Sequence, residues 1–286
     1  MSIPRIPTAT KMSDDVALSW NSRLREGVDW DRVAEQINGW ELPIYDCDQI
    51  FHHVLEAAKK YVPFDLAEGN EVIGIEVERE RDGLKGITDL TVIRTPEELR
   101  IIDWKTTGSV DAKWASVHTK GWQGGWYGYI WEPEAKGRKI VVEFRGLERG
   151  TGKWRVLPIE ITKELLDETY GNATRVRKLR SDDIWAGHIR FGGYTCHSFG
   201  RSCEYLGDAC NANLNMSYDE MKALDSSPIS PTSAERIRTC PHKNTLYQLD
   251  KLRKVEQTGG GSNEKADYGN AFHSGIAEVY KQLTTK

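Results

Sequence analysis

The chain has 286 residues, of which 38% are hydrophobic and 29% charged, with a net charge of -4. This composition is typical of a folded globular protein, and no apolar run approaches the ~20 residues that a membrane span needs. The N-terminal sequence MSIPRIPTATK lacks the apolar core of a signal peptide, so we expect a cytoplasmic protein without membrane contacts.

The first part of the chain predicts two helices. Residues 1 to 20 give a weak signal, and we expect the first dozen to form an extended arm. The spacing of apolar residues predicts helices over Asp29–Asn38 and Asp46–Tyr61. The second carries His52 and His53 close to Cys47, but the three residues do not repeat at one-turn spacing. Structural roles are therefore favoured over a metal site.

Three strands are predicted next, in an antiparallel meander. The run Val72–Glu80 alternates apolar and polar residues, as a half-buried strand does. It is followed by Ile87–Arg94 and Leu99–Lys105, with Thr95–Glu98 as the turn between them. Side chains two apart on a strand share a face, so Asp103 and Lys105 project together.

The predicted hairpin also brings Asp89 towards Asp103. Two carboxylates on adjacent strands can hold a hard divalent cation such as Mg²⁺ or Mn²⁺, and Lys105 can stabilise negative charge on a phosphate. The alternative is a cross-strand salt bridge, which an isolated D-x-K triplet favours. Glu76 or Glu78 on the first strand provides a third metal-facing acid or belongs to a solvated face.

A glycine-containing helical stretch, Asp111–Trp131, follows the meander. It places Gln123 and Tyr127 one turn apart on the same face. After it, the sequence predicts a hairpin of Lys139–Phe144 with Trp154–Ile161, and then the helix Lys163–Arg180. The basic face of that helix either binds the phosphates of a nucleic-acid backbone or is simply exposed to solvent.

The last third of the chain contains further candidate functional residues. Three cysteines recur every seven residues in a glycine-rich loop, at Cys196, Cys203 and Cys210. The polar segment 216–231 resembles a boundary, after which Thr232 and Glu235 form a capping box that opens a helix. The run TGGGSN at 258–263 is a flexible linker, and an amphipathic helix carrying His273 follows it.

Three motifs occur in a fixed order along the chain. They are G-x-x-D at Gly86 and Asp89, D-x-K-T at Asp103, Lys105 and Thr106, and Q-x-x-x-Y at Gln123 and Tyr127. In this order they resemble the PD-(D/E)xK nuclease superfamily in its RecB-like branch, which includes recombination helicase-nucleases and iron-sulfur exonucleases of CRISPR adaptation. The resemblance implies an α/β fold with a restriction-endonuclease-like core, a central mixed β-sheet flanked by helices.

The resemblance also implies a function. In that family the two acids bind Mg²⁺ or Mn²⁺, the lysine acts in catalysis, and the glutamine and tyrosine help to hold the site and the DNA. We expect a metal-dependent DNA nuclease, an exonuclease on single-stranded DNA or duplex ends in recombination, repair or phage DNA processing. A silent DNA-binding protein of the same fold and a different α/β enzyme with salt-bridged aspartates are the alternatives. DNA is the expected partner, while a helicase or recombination partner and the oligomeric state stay open.

An upstream family motif, G-x-x-x-H, is matched here by Gly269 and His273, and the family's domain-opening segment resembles residues 230–249. Both follow the core motifs instead of preceding them. The resemblance therefore implies a circular permutation: residues 1–226 form the nuclease core, and 227–286 are a permuted N-terminal segment that packs on the same domain. It predicts that His273 lies beside Asp89 and Asp103 as a catalytic and metal-binding residue.

The permutation also suggests a role for the cysteines. Iron-sulfur members of the family hold a [4Fe-4S] cluster with one cysteine near the domain start and three near its end. Cys240 together with Cys196, Cys203 and Cys210 matches that pattern, and the cluster would be structural. Because the spacings are wider than the commonest family pattern, zinc or no metal remains an alternative.

Overall fold

A five-stranded mixed sheet forms the centre of the computed structural model, which describes residues 14–40, 42–94, 97–186, 216–254 and 264–285. In chain order the strands are β1 (Glu71–Arg81), β2 (Leu84–Arg94), β3 (Glu98–Thr107), β4 (Lys139–Glu148) and β5 (Lys153–Ile161). Neighbouring strands pair in this same order, antiparallel except for the parallel pair β3 and β4. The predicted meander, hairpin and mixed sheet are confirmed.

Helices cover both faces of the sheet. In chain order they are α1 (Asp14–Gly27), α2 (Trp30–Asn38), α3 (Ile44–Asp65), α4 (Ala112–Lys120), α5 (Trp122–Ala135), α6 (Lys163–Ala186), α7 (Tyr218–Ser226), α8 (Pro231–Thr239), α9 (Pro241–Lys254) and α10 (Glu264–Thr284). Because β3 is covered on both sides, its apolar residues form a nearly continuous run. Ile102 and Trp104 pack with α1, α2, α3 and α10, whereas Leu99 and Ile101 pack with α4, α5, α6 and α8.

Several helix boundaries differ from the sequence predictions. The stretch Asp111–Trp131 is divided at Gly121, whose backbone is extended between α4 and α5. The predicted arm of the first dozen residues lies outside the described residues, and α1 begins at Asp14 within the stretch of weak signal. The predicted boundary contains a helix, α7, which begins with a capping box of Ser217 and Glu220. The predicted capping box at Thr232 is wrong, because Ser230 is the N-cap of α8 with Pro231 at its first position.

No helix in the described part of the chain combines the length and apolar character needed to cross a membrane.

A buried charge cluster ties α3 and α10 to the sheet. The two terminal nitrogens of Arg145 on β4 donate to the carboxylate of Asp65 at 2.6 and 2.7 Å, and the Tyr280 hydroxyl on α10 donates to it at 2.5 Å. Arg94 and Glu143 complete the cluster. Asp65 is fully buried, and Arg145 is 1% exposed. Such a pair is stable only while every member keeps its partner.

The ionisation of Asp65 follows from these contacts. Burial alone would raise its pKa, but the charge and hydrogen bonds of Arg145 hold the pKa below the ordinary value of 3.8. A carboxylate with a lowered pKa stabilises the fold above its unfolded pKa and loses that contribution as the pH falls through its folded pKa. The cluster therefore contributes to stability at neutral pH and weakens in acid.

We expect Asp65→Ala to lower the free energy of unfolding by about 3–5 kcal/mol, because Arg145 is left buried without its carboxylate. Urea denaturation at neutral pH measures this change. Asp167→Ala is the matched control, since it removes an exposed carboxylate that lies 3.6 Å from Lys163, and should cost less than about 1 kcal/mol. Equal losses in the two variants would contradict the role given to the cluster.

Candidate active site

The site forms where β2 and β3 separate. The paired register of the two strands runs from Arg94 opposite Glu98 to Leu90 opposite Ile102. At the next position, the Asp89 side chain accepts a hydrogen bond from the Trp104 backbone N–H at 2.6 Å, so a carboxylate replaces a ladder bond. Consequently the Asp89 carboxylate lies between the strands.

Asp103 and Lys105 lie on the neighbouring strand, on one face as predicted. Lys105 Nζ is 2.6 Å from Asp103 Oδ2, while Asp103 is only 2% exposed. From α5, Gln123 Nε2 donates to Asp103 Oδ1 at 3.3 Å and to the Tyr127 hydroxyl at 2.7 Å. The glutamine thus links the aspartate to the tyrosine, as expected for two residues one turn apart on a helix.

His273 reaches the same site from the opposite side of the sheet. It is carried by α10, and its Nδ1 lies 3.4 Å from Asp89 Oδ1. The prediction that it lies beside Asp89 is confirmed. One turn earlier, a Cβ at Gly269 would come within 2.9 Å of Thr106 Oγ1, so glycine allows α10 to approach β3 closely. This contact gives a physical reason for the G-x-x-x-H spacing.

The close charges shift the pKa values of the two aspartates in opposite directions. Burial raises the pKa of Asp103, and repulsion by Asp89 raises it further despite the nearby Lys105. Burial would also raise the pKa of Asp89, but the charges of His273 and Lys105 and the hydrogen bond from the Trp104 N–H together lower it. Two adjacent carboxylates compete for ionisation in this way when no cation lies between them.

The residues present fit a hard divalent cation with few protein ligands. Asp103 Oδ2 is buried, and its contact with Lys105 is an ion pair without hydrogen-bond geometry. Among the described residues, no group of three or more His, Cys, Asp or Glu side chains is placed so that it could hold a metal ion. Mg²⁺ matches this arrangement because it takes one or two carboxylates and keeps several waters.

The two glutamates considered on β1 lie in ion pairs. Glu76 Oε2 is 2.8 Å from Lys281 Nζ on α10, and Glu78 Oε2 is 3.6 Å from Lys85 Nζ. Glu76 also has a φ of 51°, in the left-handed region that favours glycine. The Glu76 carboxylate is paired with Lys281. The role of Glu76 as a metal ligand stays a prediction.

The cysteine predictions fall mostly on undescribed positions. Cys196, Cys203 and Cys210 lie outside the described residues, as does the TGGGSN run at 258–263. Cys240 is the C-cap of α8, where its sulfur accepts from the Lys243 N–H at 3.5 Å. The iron-sulfur cluster, with zinc as its alternative, stays a prediction.

The histidines near Cys47 have the structural role expected of them. His53 is buried, and its Nδ1 lies 2.8 Å from the Tyr268 hydroxyl on α10. The Cys47 thiol contacts the Leu42 carbonyl at 3.7 Å, and burial raises the pKa of that thiol.

A groove of about 770 Å³ opens beside Lys105 and Gln123, which the sequence analysis did not identify. Its walls come from the end of α4, the start of α5 and from α8 and α9. The available local signal was Lys120 and Trp122 immediately before Gln123. The other wall comes from residues more than 100 positions further along the chain. The periodicity of strands and helices does not predict that such distant residues lie next to each other.

Comparison with known proteins identifies the family. The chain matches the family model of the PD-(D/E)XK nuclease superfamily over residues 22–207, and it belongs to that superfamily. Its mixed sheet with flanking helices is the α/β restriction-endonuclease-like core expected of a member. Members are generally phosphodiesterase nucleases that use Mg²⁺ or Mn²⁺. Neither the curated proteins nor the solved structures gave a match.

The glycine of the G-x-x-D motif makes room for the tyrosine of Q-x-x-x-Y. A Cβ at Gly86 would lie 3.0 Å from Tyr127 Cε1 and 3.1 Å from Ile130 Cδ1. We expect Gly86→Ala to destabilise the fold by about 1–3 kcal/mol, because the buried Tyr127 ring, whose hydroxyl accepts a hydrogen bond from Gln123, must move. Urea denaturation again measures the loss.

Gly171→Ala is the matched control for Gly86→Ala. Gly171 lies in α6, and a Cβ there would meet nothing within 4 Å. Alanine is better than glycine inside a helix by roughly 0.5–1 kcal/mol, so this variant should be at least as stable as the parent. A Gly86→Ala protein that is equally stable would show that the close contact has no consequence.

Proposed function

We propose that this chain is a metal-dependent nuclease that hydrolyses DNA phosphodiester bonds at the site between β2 and β3. The observation that carries the proposal is the convergence of Asp89, Asp103 and Lys105 from two separated strands, with Gln123 and His273 reaching them from opposite layers. Membership of the nuclease superfamily is established independently by the family match.

Asp89 and Asp103 would hold the divalent cation through their carboxylates. Such a cation polarises a phosphoryl oxygen and lowers the pKa of a bound water. Gln123 keeps the Asp103 carboxylate in one orientation, and the Trp104 N–H does the same for Asp89. Ligands held in this way lose less freedom when the cation binds.

Lys105 acts as a cation in this proposal. Burial alone would lower its pKa, but the charges of Asp103 and Asp89 raise it above the ordinary value of 10.5. Lys105 Nζ lies as a positive charge 2.6 Å from Asp103 Oδ2, beside the proposed metal ligands. Its role is therefore to position the attacking water and to stabilise the negative charge that develops on the phosphate.

The alternative of a silent DNA-binding protein that uses its basic helix is less well supported. Of the cations on α6, Arg180 is 5% exposed and donates to the backbone carbonyls of Ser227 and Asp225. Lys178 is paired with Asp182 at 2.8 Å. Arg180 is therefore used within the fold and Lys178 is paired with an acid, so these two side chains offer less charge to phosphates than the sequence indicates.

We expect Asp103→Asn and Lys105→Ala to lower the Mg²⁺- or Mn²⁺-dependent cleavage rate by at least about 10²–10³-fold, because the first removes a carboxylate that would hold the cation and the second removes a positive charge that stabilises the transition state. The assay follows end-labelled single- and double-stranded DNA at saturating metal. Circular dichroism checks that both variants keep the fold. If the enzyme is an exonuclease, a circular single strand should resist cleavage.

Lys163→Ala is the control for this assay, since Lys163 is an exposed residue at the start of α6 and should leave the rate unchanged. Parent-like cleavage by Asp103→Asn and Lys105→Ala would reject the proposed site. A parent protein that cleaves no DNA with either metal would reject the nuclease function itself.

We also propose that residues 227–286 correspond to the N-terminal part of RecB-like relatives, moved by circular permutation. Two observations support this order. His273 is near Asp89, and the end of α10 is near the start of α2, where the Asp29 N–H donates to Gln282 Oε1 at 2.6 Å. The end of α10 therefore lies next to residue 29, and a linker from residue 285 to residue 14 in a chain that begins at residue 227 would have to span about the length of α1, roughly 20 Å.

We expect His273→Ala to raise the Mn²⁺ concentration for half-maximal cleavage by about 10–100-fold, because His273 holds or orients Asp89. His52→Ala, on the exposed face of α3, is the control and should not change this Mn²⁺ concentration.

The re-permuted chain should fold and keep the metal dependence of the parent. Failure of that chain to fold would argue against the permutation without affecting the site.

A further inference from the structure

The groove beside Lys105 and Gln123 is strongly basic in a chain that is acidic overall. Five of its lining side chains are cationic and one, Glu235, is an acid, whereas the whole chain has a net charge of -4. His118, also in its wall, adds no charge at neutral pH, because burial and then the charge of Lys105 lower its pKa to about 4. A groove of this sign concentrates a polyanion.

The cations line the groove on both sides. Lys120 lies on the α4 side, is exposed at the end of the helix, and has no ion pair within the described part of the chain. Across the groove lie three cations of α8 and α9: Arg236, Arg238 and Lys243. Arg238 is 2.6 Å from Glu235, so this pair adds no net charge, and the net positive charge of this wall comes from Arg236 and Lys243. Phosphates between the two walls would meet positive charge on both sides.

Trp122 adds an aromatic surface to this basic groove. It is half-buried at the start of α5, directly before Gln123, and the Arg238 guanidinium lies 5.6 Å from its ring centroid. Proteins that bind single strands combine a positive groove with aromatic side chains on which bases stack. A base can stack on Trp122 only if it is unpaired, since bases inside a duplex already stack on each other.

The size of the groove also fits a single strand. Its volume of about 770 Å³ is within the roughly 300–1,000 Å³ of a small-ligand site, which gives room for a short stretch of nucleotides. The lining of the groove includes Lys105 and Gln123, the residues that contact Asp103. A strand lying in it would therefore lead directly to the site of cleavage.

We propose that this groove, between α4 and α5 on one side and α8 and α9 on the other, binds a single strand of DNA next to the catalytic site. The proposal rests on the proposed nuclease function for its substrate, but binding can be measured separately from cleavage. Lys120 and the cations of α8 and α9 contact phosphates, and Trp122 stacks on a base.

The test is fluorescence anisotropy with a labelled oligothymidylate in the presence of a chelator, so that no cleavage occurs. Lys120→Ala should reduce the slope of log affinity against log salt by about 0.7, as expected for one lost phosphate contact on a single strand. Lys113→Ala, a substitution of the same kind on the same helix but outside the groove, should leave the slope unchanged.

The stacking contact is tested with two substitutions of Trp122. Trp122→Leu should weaken binding roughly 5- to 150-fold, whereas Trp122→Phe keeps an aromatic face and should retain most of the affinity. Equal losses in the two variants, or equal slopes in Lys120→Ala and Lys113→Ala, would overturn the proposal. The proposal would also be overturned if a blunt duplex bound as tightly as the single strand, or if the single strand showed no measurable binding.

These outcomes are independent of the nuclease assay. A parent protein that binds the oligothymidylate through Lys120 and Trp122 but cleaves no DNA with Mg²⁺ or Mn²⁺ would reject the proposed function alone. A parent protein that cleaves DNA, with binding that none of the groove variants changes, would reject the groove alone.

Discussion

The hydrogen bond from the Trp104 backbone N–H to the Asp89 carboxylate is the interaction on which the site depends. In a continuous antiparallel ladder, a carbonyl of β2 would accept that N–H and the strands would stay closed. Here a side chain takes the place of the carbonyl, so the strands separate without leaving a buried donor unpaired. The opening exposes Asp89 and Asp103 to side chains from both layers, which a closed sheet would keep apart.

Two glycines allow the layers to approach this opening. Gly269 brings α10 against β3 so that His273 reaches Asp89, and Gly86 leaves space for Tyr127, which is hydrogen bonded to Gln123. The motif glycines therefore act through packing rather than through an unusual backbone conformation. In each case a single methyl group would displace a residue next to the two aspartates.

The buried charge cluster around Asp65 and Arg145 stabilises the part of the core that lies next to the two aspartates of the site. The Arg145 guanidinium lies 4.8 Å from the Trp104 ring centroid and is held by Asp65, which also binds Tyr280 of α10. Trp104 in turn contacts Phe272, the residue before His273, with ring centroids 5.9 Å apart. The position of His273 is thus fixed by contacts that continue into the core, and the short distance to Asp89 follows from how α10 packs.

The sequence by itself determined the strands that carry Asp89, Asp103 and Lys105, because short apolar runs and the turn between them are local signals. It also determined the one-turn pairing of Gln123 with Tyr127. Only the tertiary structure decided that Glu76 turns to Lys281, and that a basic groove joins Trp122 to helices far along the chain. These contacts depend on side-chain rotation and on packing between distant elements, about which neither spacing nor composition carries information.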